Sequence, residues 1–224
     1  MKVEQVLKNE NATPLEKARV FCLLGNPNII GHSVAWFYMN NVGELIDDFK
    51  LTTYKEAVLS DLRDFEGNKR NWQEKIKPMA KQCEDELIKE FIIGKMDKYN
   101  NLAQVKSNVL IEWAETLAAF LVGIDLRTNQ IRKFLDGVRK VESNVKKLAS
   151  EKPEDFTSKE IIFLKVHLAY ATGRQKEVKS LMLVMNKAIN KIREEGEEGF
   201  RDFEQFVKFV EAVIAYHKFY GGND

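Results

Sequence analysis

"TNQIRKFLDGVRKVESNVKK", Thr128 to Lys147, decides the fold class. Ile131, Phe134, Leu135, Val138, Val141 and Val145, with Leu148 just beyond, recur at intervals of three and four residues. That spacing is a single apolar stripe on a helix, not the alternation of a strand. Burying it contributes roughly 1.5–3 kcal/mol per fully buried large side chain. The stripe predicts a helix from about Thr128 to Leu148, held by its core face. On the rest of the surface, cations recur every seven residues in two rows: Arg132, Arg139, Lys146 and Lys133, Lys140, Lys147. Seven residues is almost two turns, so each row drifts only about 20° per step, and three cations span about 21 Å. Only Asp136 and Glu142 interrupt this face. One reading is an ordinary solvated surface. The other is a track for a polyanion, because like charges without acidic partners repel by a few tenths of a kcal/mol per pair. Nucleic acid would answer that repulsion with fixed phosphates and counterion release.

The remaining chain carries helical periodicity almost throughout. Thr13-Pro14 followed by Glu16 is a start signal for "LEKARVFCLL", with Thr as N-cap and Pro at the first helical position. "GNPN" ends that helix. Ser33 and Thr53 suit the starts of two more helices, and Pro78 should kink or divide the amphipathic stretch from Trp72 to Tyr99. "LAQVKSNVLIEWAETLAAFLVGI" is mostly apolar on one side. Beyond Lys147, a polar connector leads to "KEIIFLKVHLAYAT", for which Thr157 or Ser158 can serve as cap. Gly173 punctuates, so Arg174 and Lys176 are read as opening the next helix, where free N–H groups favour an anion. An acidic turn then leads into the last helix, whose core stripe is Phe203, Phe206, Val207, Val210, Val213, Ile214 and Phe219. No segment reads convincingly as a strand. The fold class is all-α, a helical bundle with an additional N-terminal helical region.

Composition narrows the function. A chain of 224 residues can bury a real core. Cys22 and Cys83 form no metal or disulfide pattern and suit a reducing cytosol, so a cytoplasmic location is expected. No window approaches the roughly 20 apolar residues of a membrane span. The net charge of +1 hides a partition: residues 127–193 hold 16 Lys/Arg against 7 Asp/Glu, while residues 194–211 hold 2 against 7. Lys165, Arg174, Lys176, Lys179, Lys187, Lys191 and Arg193 extend the basic region. His167 and Tyr170, one turn apart, are open to two readings: ordinary packing, or stacking on bases. Glu211, inside an apolar setting, suits an ion pair with a basic helix better than catalysis, since a lone carboxylate needs a second group. His32, His167 and His217 are read as surface or satisfied core histidines. The acidic clusters Asp47-Asp48, Glu84-Asp85-Glu86 and Glu194–Glu198 lack the spaced histidines of a helical metal site. No catalytic residue, metal ligand or cofactor is expected.

Three blocks, "LRTNQIRKFLDGVRKVE", "FLKVHLAYATGR" and "FVKFVEAVIAYHKFYGG", taken in this order, resemble the small helical subunit of type III-A CRISPR effector complexes, the second protein of the Csm complex. The resemblance covers roughly residues 108–224. It implies a non-catalytic helical bundle whose copies stack along the complex, beside CRISPR RNA paired to target RNA, in antiviral defence. It implies sequence-independent phosphate contacts, carried onto Arg132, Lys133, Arg139, Lys140, Lys165, Arg174 and Lys218. Expected partners are both RNAs, the other effector subunits and further copies of the chain, with no membrane. Relatives often have "LTTSQIR" and "LKPKLAYA" where this chain has "LRTNQIR" and "LKVHLAYA", so His167 stands where a cation does in relatives. Residues 1–107, with 16 cations and 16 acids, are expected to be a helical extension packing on the core or on a neighbouring subunit. The alternative function is a helical homodimeric protein-interaction adaptor whose cations meet an acidic partner.

Overall fold

A computed structural model describes residues 11, 13–24, 81, 84–149 and 152–222 of the chain. Ser33, Thr53, Pro78, Asp47-Asp48, His32 and Cys83, singled out above, lie outside the described residues, as does the side chain of Leu148. Helix α1, Pro14–Leu24, starts as its cap residues dictate. The Glu16 amide donates to Thr13 Oγ1 at 3.3 Å, and the Thr13 amide donates to Glu16 Oε2 at 2.8 Å. Two otherwise orphaned donors are satisfied reciprocally. A π-helix, Glu84–Ile93, follows among the described residues and passes into a single α-turn, Gly94–Met96. Then come α2 (Ser107–Gly123), α3 (Thr128–Ala149), α4 (Lys159–Ile162), α5 (Leu164–Arg174), α6 (Val178–Ile189) and α7 (Gly196–Phe219). Among the described residues the only strand-like pairing is an isolated bridge between Thr157 and Glu195.

Helix α2 is the centre of the bundle. The sequence reads as one-sided there, but Leu110, Trp113, Ala114 and every residue from Thr116 to Gly123 are buried. The reason is coverage from several directions: α7, α1, the π-helix and α6 all pack against α2. A helix apolar all round has to be enclosed in this way. Helix α1 adds a polar anchor to its apolar contacts. Buried Arg19 donates from Nε to Thr116 Oγ1 (3.0 Å), from Nη1 to Glu115 Oε2 (2.6 Å) and from Nη2 to the Glu112 carbonyl (3.1 Å). The other Glu115 oxygen accepts from the Tyr220 hydroxyl at 2.6 Å. Burial, reinforced by that neighbouring carboxylate, pushes the Tyr220 phenol well above its ordinary pKa.

Helices α2 and α7 end alike. Leu126 N–H returns to the Leu121 carbonyl and Asp125 N–H to that of Val122, with Asp125 left-handed at φ 63°. Gly222 N–H returns to His217 and Gly221 N–H to Lys218, with Gly221 at φ 83°. Both are Schellman terminations, and one buried side chain joins them. His217 Nε2 lies 2.9 Å from the Leu126 carbonyl, which can only accept, so Nε2 carries the proton. Its Nδ1 lies 3.1 Å from Thr128 Oγ1, which also reaches the Gly222 carbonyl at 3.1 Å. Gly222 is required by space: a Cβ there would lie 2.1 Å from His217 Cε1. Burial, with a smaller contribution from Lys218, pulls the His217 pKa down to about 4.

The apolar stripe of α3 meets the core as expected, with Ile131, Phe134, Val138 and Val145 buried and Leu135 and Val141 half-buried. In α7, Phe203, Phe206, Val207, Val210 and Val213 are buried and Ile214 is half-buried. Phe219 departs from expectation: it is 57 % exposed, and its ring meets Tyr216 and Tyr220 edge-on at the end of the helix. A second departure is Gly173, which lies inside α5 rather than ending it.

Arg19→Ala removes three donors from a buried site and should lower unfolding free energy by about 3 kcal/mol, as when one partner of a buried ion pair is lost. Tyr220→Phe should cost about 1 kcal/mol, and urea denaturation measures both. The depressed His217 pKa means the unfolded chain takes up the proton first. Its contribution is full above pH 6.5 and falls by about 3 kcal/mol toward pH 4. The wild-type minus His217→Gln difference in stability should shrink across that window.

Candidate nucleic-acid interface

Three points of approach set α4 and α5 along α3 in antiparallel register. Gln130 Nε2 donates to Gln175 Oε1 just past the end of α5. At the middle, a methyl added to Gly137 would sit 3.5 Å from Leu164 Cδ2 and 3.6 Å from His167 Nδ1. Farther along, Asn144 Nδ2 donates to Glu160 Oε2 at 2.9 Å. Gln130, Gly137 and Asn144 therefore mark the α5 edge of α3. Each residue turns the helix by about 100°, so the Lys133 row lies beside that edge and the Arg132 row lies round toward α7.

The rows differ electrostatically. Arg139 pairs with Glu142 at 2.6 Å and with Glu211 of α7, and Lys146 pairs with Glu142 at 2.8 Å. Burial alone would raise the Glu142 carboxyl, but hydrogen bonds from Lys146 and Arg139 outweigh it and hold the pKa below its ordinary value. This corrects the expectation that the ladder lacks acidic partners. Glu142 is three residues after Arg139 and four before Lys146, so one carboxylate serves both. Glu211 is the ion-pair partner that its setting suggested. Arg132 is exposed at the head of this row. In the other row, Lys133, Lys140 and Lys147 are all exposed, and none has an ion-pair partner among the described residues.

The remaining cations divide in the same way. Lys187 pairs with Asp97, and Lys191 donates to the Tyr99 carbonyl at 2.7 Å. Arg193 Nε donates at 2.7 Å to Asp202, which is fully buried and also accepts the Ala103 amide at 2.7 Å. Lys165 is half-buried and donates to Asn190. Lys218 lies 3.4 Å from the Gly222 carbonyl, beside the His217 junction. Arg174 is exposed, but it ends α5 rather than opening α6, so the helix-start argument for an anion does not apply to it. Its guanidinium instead lies 5.8 Å from the Tyr170 ring centre. Lys176 and Lys179 are exposed.

His167 and Tyr170 are both exposed, so packing in the core does not account for them. Sequence reasoning missed Phe163 and Val166, which are exposed beside them. The signal was present: α4 and α5 carry more apolar residues than one face can bury. Ile161, Leu164 and Leu168 occupy the buried face, leaving Ile162, Phe163, Val166 and Tyr170 outside.

The acidic clusters do not assemble a metal site among the described residues. Glu84 accepts from Ser180 and pairs with Lys81 at 3.2 Å. Glu86, half-buried, has its pKa pushed up to about 7 by burial and then by the like charges of Glu90 and Asp85. No described helix is long and apolar enough to cross a membrane.

The family model described as Csm2 Type III-A matches residues 104–223, which contain α2 to α7 and the His217 junction. No curated protein and no solved structure matches the chain.

The row asymmetry is measurable without RNA. Arg139→Ala should cost about 1 kcal/mol, because it opens two half-exposed ion pairs. Lys140→Ala should stay within about 0.5 kcal/mol of wild type. Equal effects in urea denaturation would contradict the division.

Proposed function

The chain belongs to the Csm2 family of type III-A CRISPR effector subunits, and from that membership we propose that it lies along the RNA of the complex. It contacts backbone phosphates without reading sequence, and it catalyses no reaction. Membership brings with it the other subunits of a multi-subunit effector. The proposal adds CRISPR RNA paired to target RNA, stacked copies of the same chain, a cytoplasmic setting and a role in antiviral defence.

One observation carries the phosphate reading. Lys133, Lys140 and Lys147 form an exposed row, about 21 Å long by helix rise, without acidic partners among the described residues. An exposed row of cations outside any ion pair is available to neutralise phosphates and release their counterions. Arg132 and Arg174 extend the exposed positive surface at the end of α3 where Gln130 meets Gln175. Arg139, placed in the same role by resemblance, also holds α3 to α7 through Glu211, so its reversal perturbs fold and binding together.

The test is RNA affinity as a function of salt, using the full chain. Reversing Lys133, Lys140 and Lys147 to Glu should abolish binding at moderate salt. Changing them to Gln should flatten the log–log salt dependence by about 2 for single-stranded RNA, as expected for three lost phosphate contacts. Unchanged affinity and slope in both variants would overturn the reading.

A further inference from the structure

Beside the lysine row lies a feature that phosphate contact does not use. Phe163 is 67 % exposed and Tyr170 is 68 % exposed, and each stands one helical turn from His167, which faces Gly137 of α3. The register contacts place them. With Gln130 level with Gln175, Gly137 with Leu164 and His167, and Asn144 with Glu160, Lys133 falls level with Tyr170 and Lys140 with Phe163. Both pairs are seven residues apart, so lysines and rings repeat at the same interval of about 10.5 Å. His167 and the small residue Gly137 fill the seam between them. Arg174 lies near the Tyr170 ring.

We propose that this paired rail, Lys133 with Tyr170 and Lys140 with Phe163, binds unpaired nucleotides, each ring stacking on a base while the adjacent lysine holds a phosphate. The proposal rests on the phosphate reading above and extends it to the strand state of the RNA. A continuous A-form duplex keeps its bases stacked inside and offers exposed rings no partner, whereas unstacked bases present open faces to aromatic side chains. Charge also favours nucleic acid over another copy of this chain, since a copy docking through the same face would set lysine row against lysine row. Asp136 stands between the two lysines in sequence, and Glu160 accepts from Asn144.

The experiment compares three labelled probes: a short oligoadenylate, the same strand built without bases, and an RNA duplex of equal length. Phe163 and Tyr170 are exposed, so Phe163→Ala/Tyr170→Ala should fold normally, which circular dichroism checks. The variant should bind oligoadenylate roughly tenfold or more weakly for each lost stack. It should bind the abasic strand and the duplex as wild type does, and Tyr170→Phe should retain wild-type affinity throughout. Undiminished binding of oligoadenylate by the double alanine variant overturns the stacking proposal. If the lysine reversals still abolish binding in that case, the phosphate reading survives alone. If the lysine reversals leave binding intact as well, the phosphate reading falls with it. A double alanine variant that loses self-association in sedimentation while keeping RNA affinity would make this a protein-docking face and also overturn the proposal.

Discussion

The carboxylate of Glu115 ties the two ends of the described chain together. One oxygen takes the Arg19 guanidinium from α1, and the other takes the Tyr220 hydroxyl from just beyond α7. Glu115 itself stands on α2, the helix that every covering element needs as its support. A half-buried carboxylate between two donors is stable only while both remain in place. The cost of leaving a buried polar group unpaired exceeds the net gain of making the bond. The apolar surface of α2 therefore drives assembly, and Glu115 makes the arrangement of α1 and α7 around it specific.

A similar economy governs the ends of the helices. His217 joins the last turns of α2 and α7 to the first turn of α3 through Leu126, Thr128 and Gly222. Two of the three sequence blocks that carry the family resemblance meet here. Their shared pattern is thus partly a structural device, in which a glycine yields space to a buried imidazole. The junction sets the starting point of α3, and with it the orientation of both cation rows.

Helix α3 divides its charges by neighbour. On the α7 side, Arg139 and Lys146 are drawn onto Glu142 and Glu211. On the α5 side, Lys133, Lys140 and Lys147 face outward beside exposed rings. The division explains how one helix can be packed on two sides and still offer a basic edge. Lys187, Lys191 and Arg193 follow the same logic, since Asp97 and the Tyr99 carbonyl of a connecting segment engage the two lysines and Asp202 of α7 engages the arginine.

The all-α class, the helix at Thr128 and the capping box at Thr13 were legible in sequence, because each rests on contacts within a few residues. Glu142 was legible too, since its spacing from Arg139 and Lys146 is local, and treating it as an interruption overlooked that. The pairing of Arg139 with Glu211, the enclosure of α2 by α1 and the meeting of His217 with Thr128 bridge about 70 to 100 residues, and no local period encodes them. The exposure of Phe163 and Tyr170 lies between these cases. The sequence holds more apolar residues there than one face of a short helix can bury, an excess overlooked at Phe163 and Val166, but which of them face outward depended on where α3 and α6 cover it. Periodicity specifies the faces a helix has; only the packed neighbours decide which of those faces remain open to a partner.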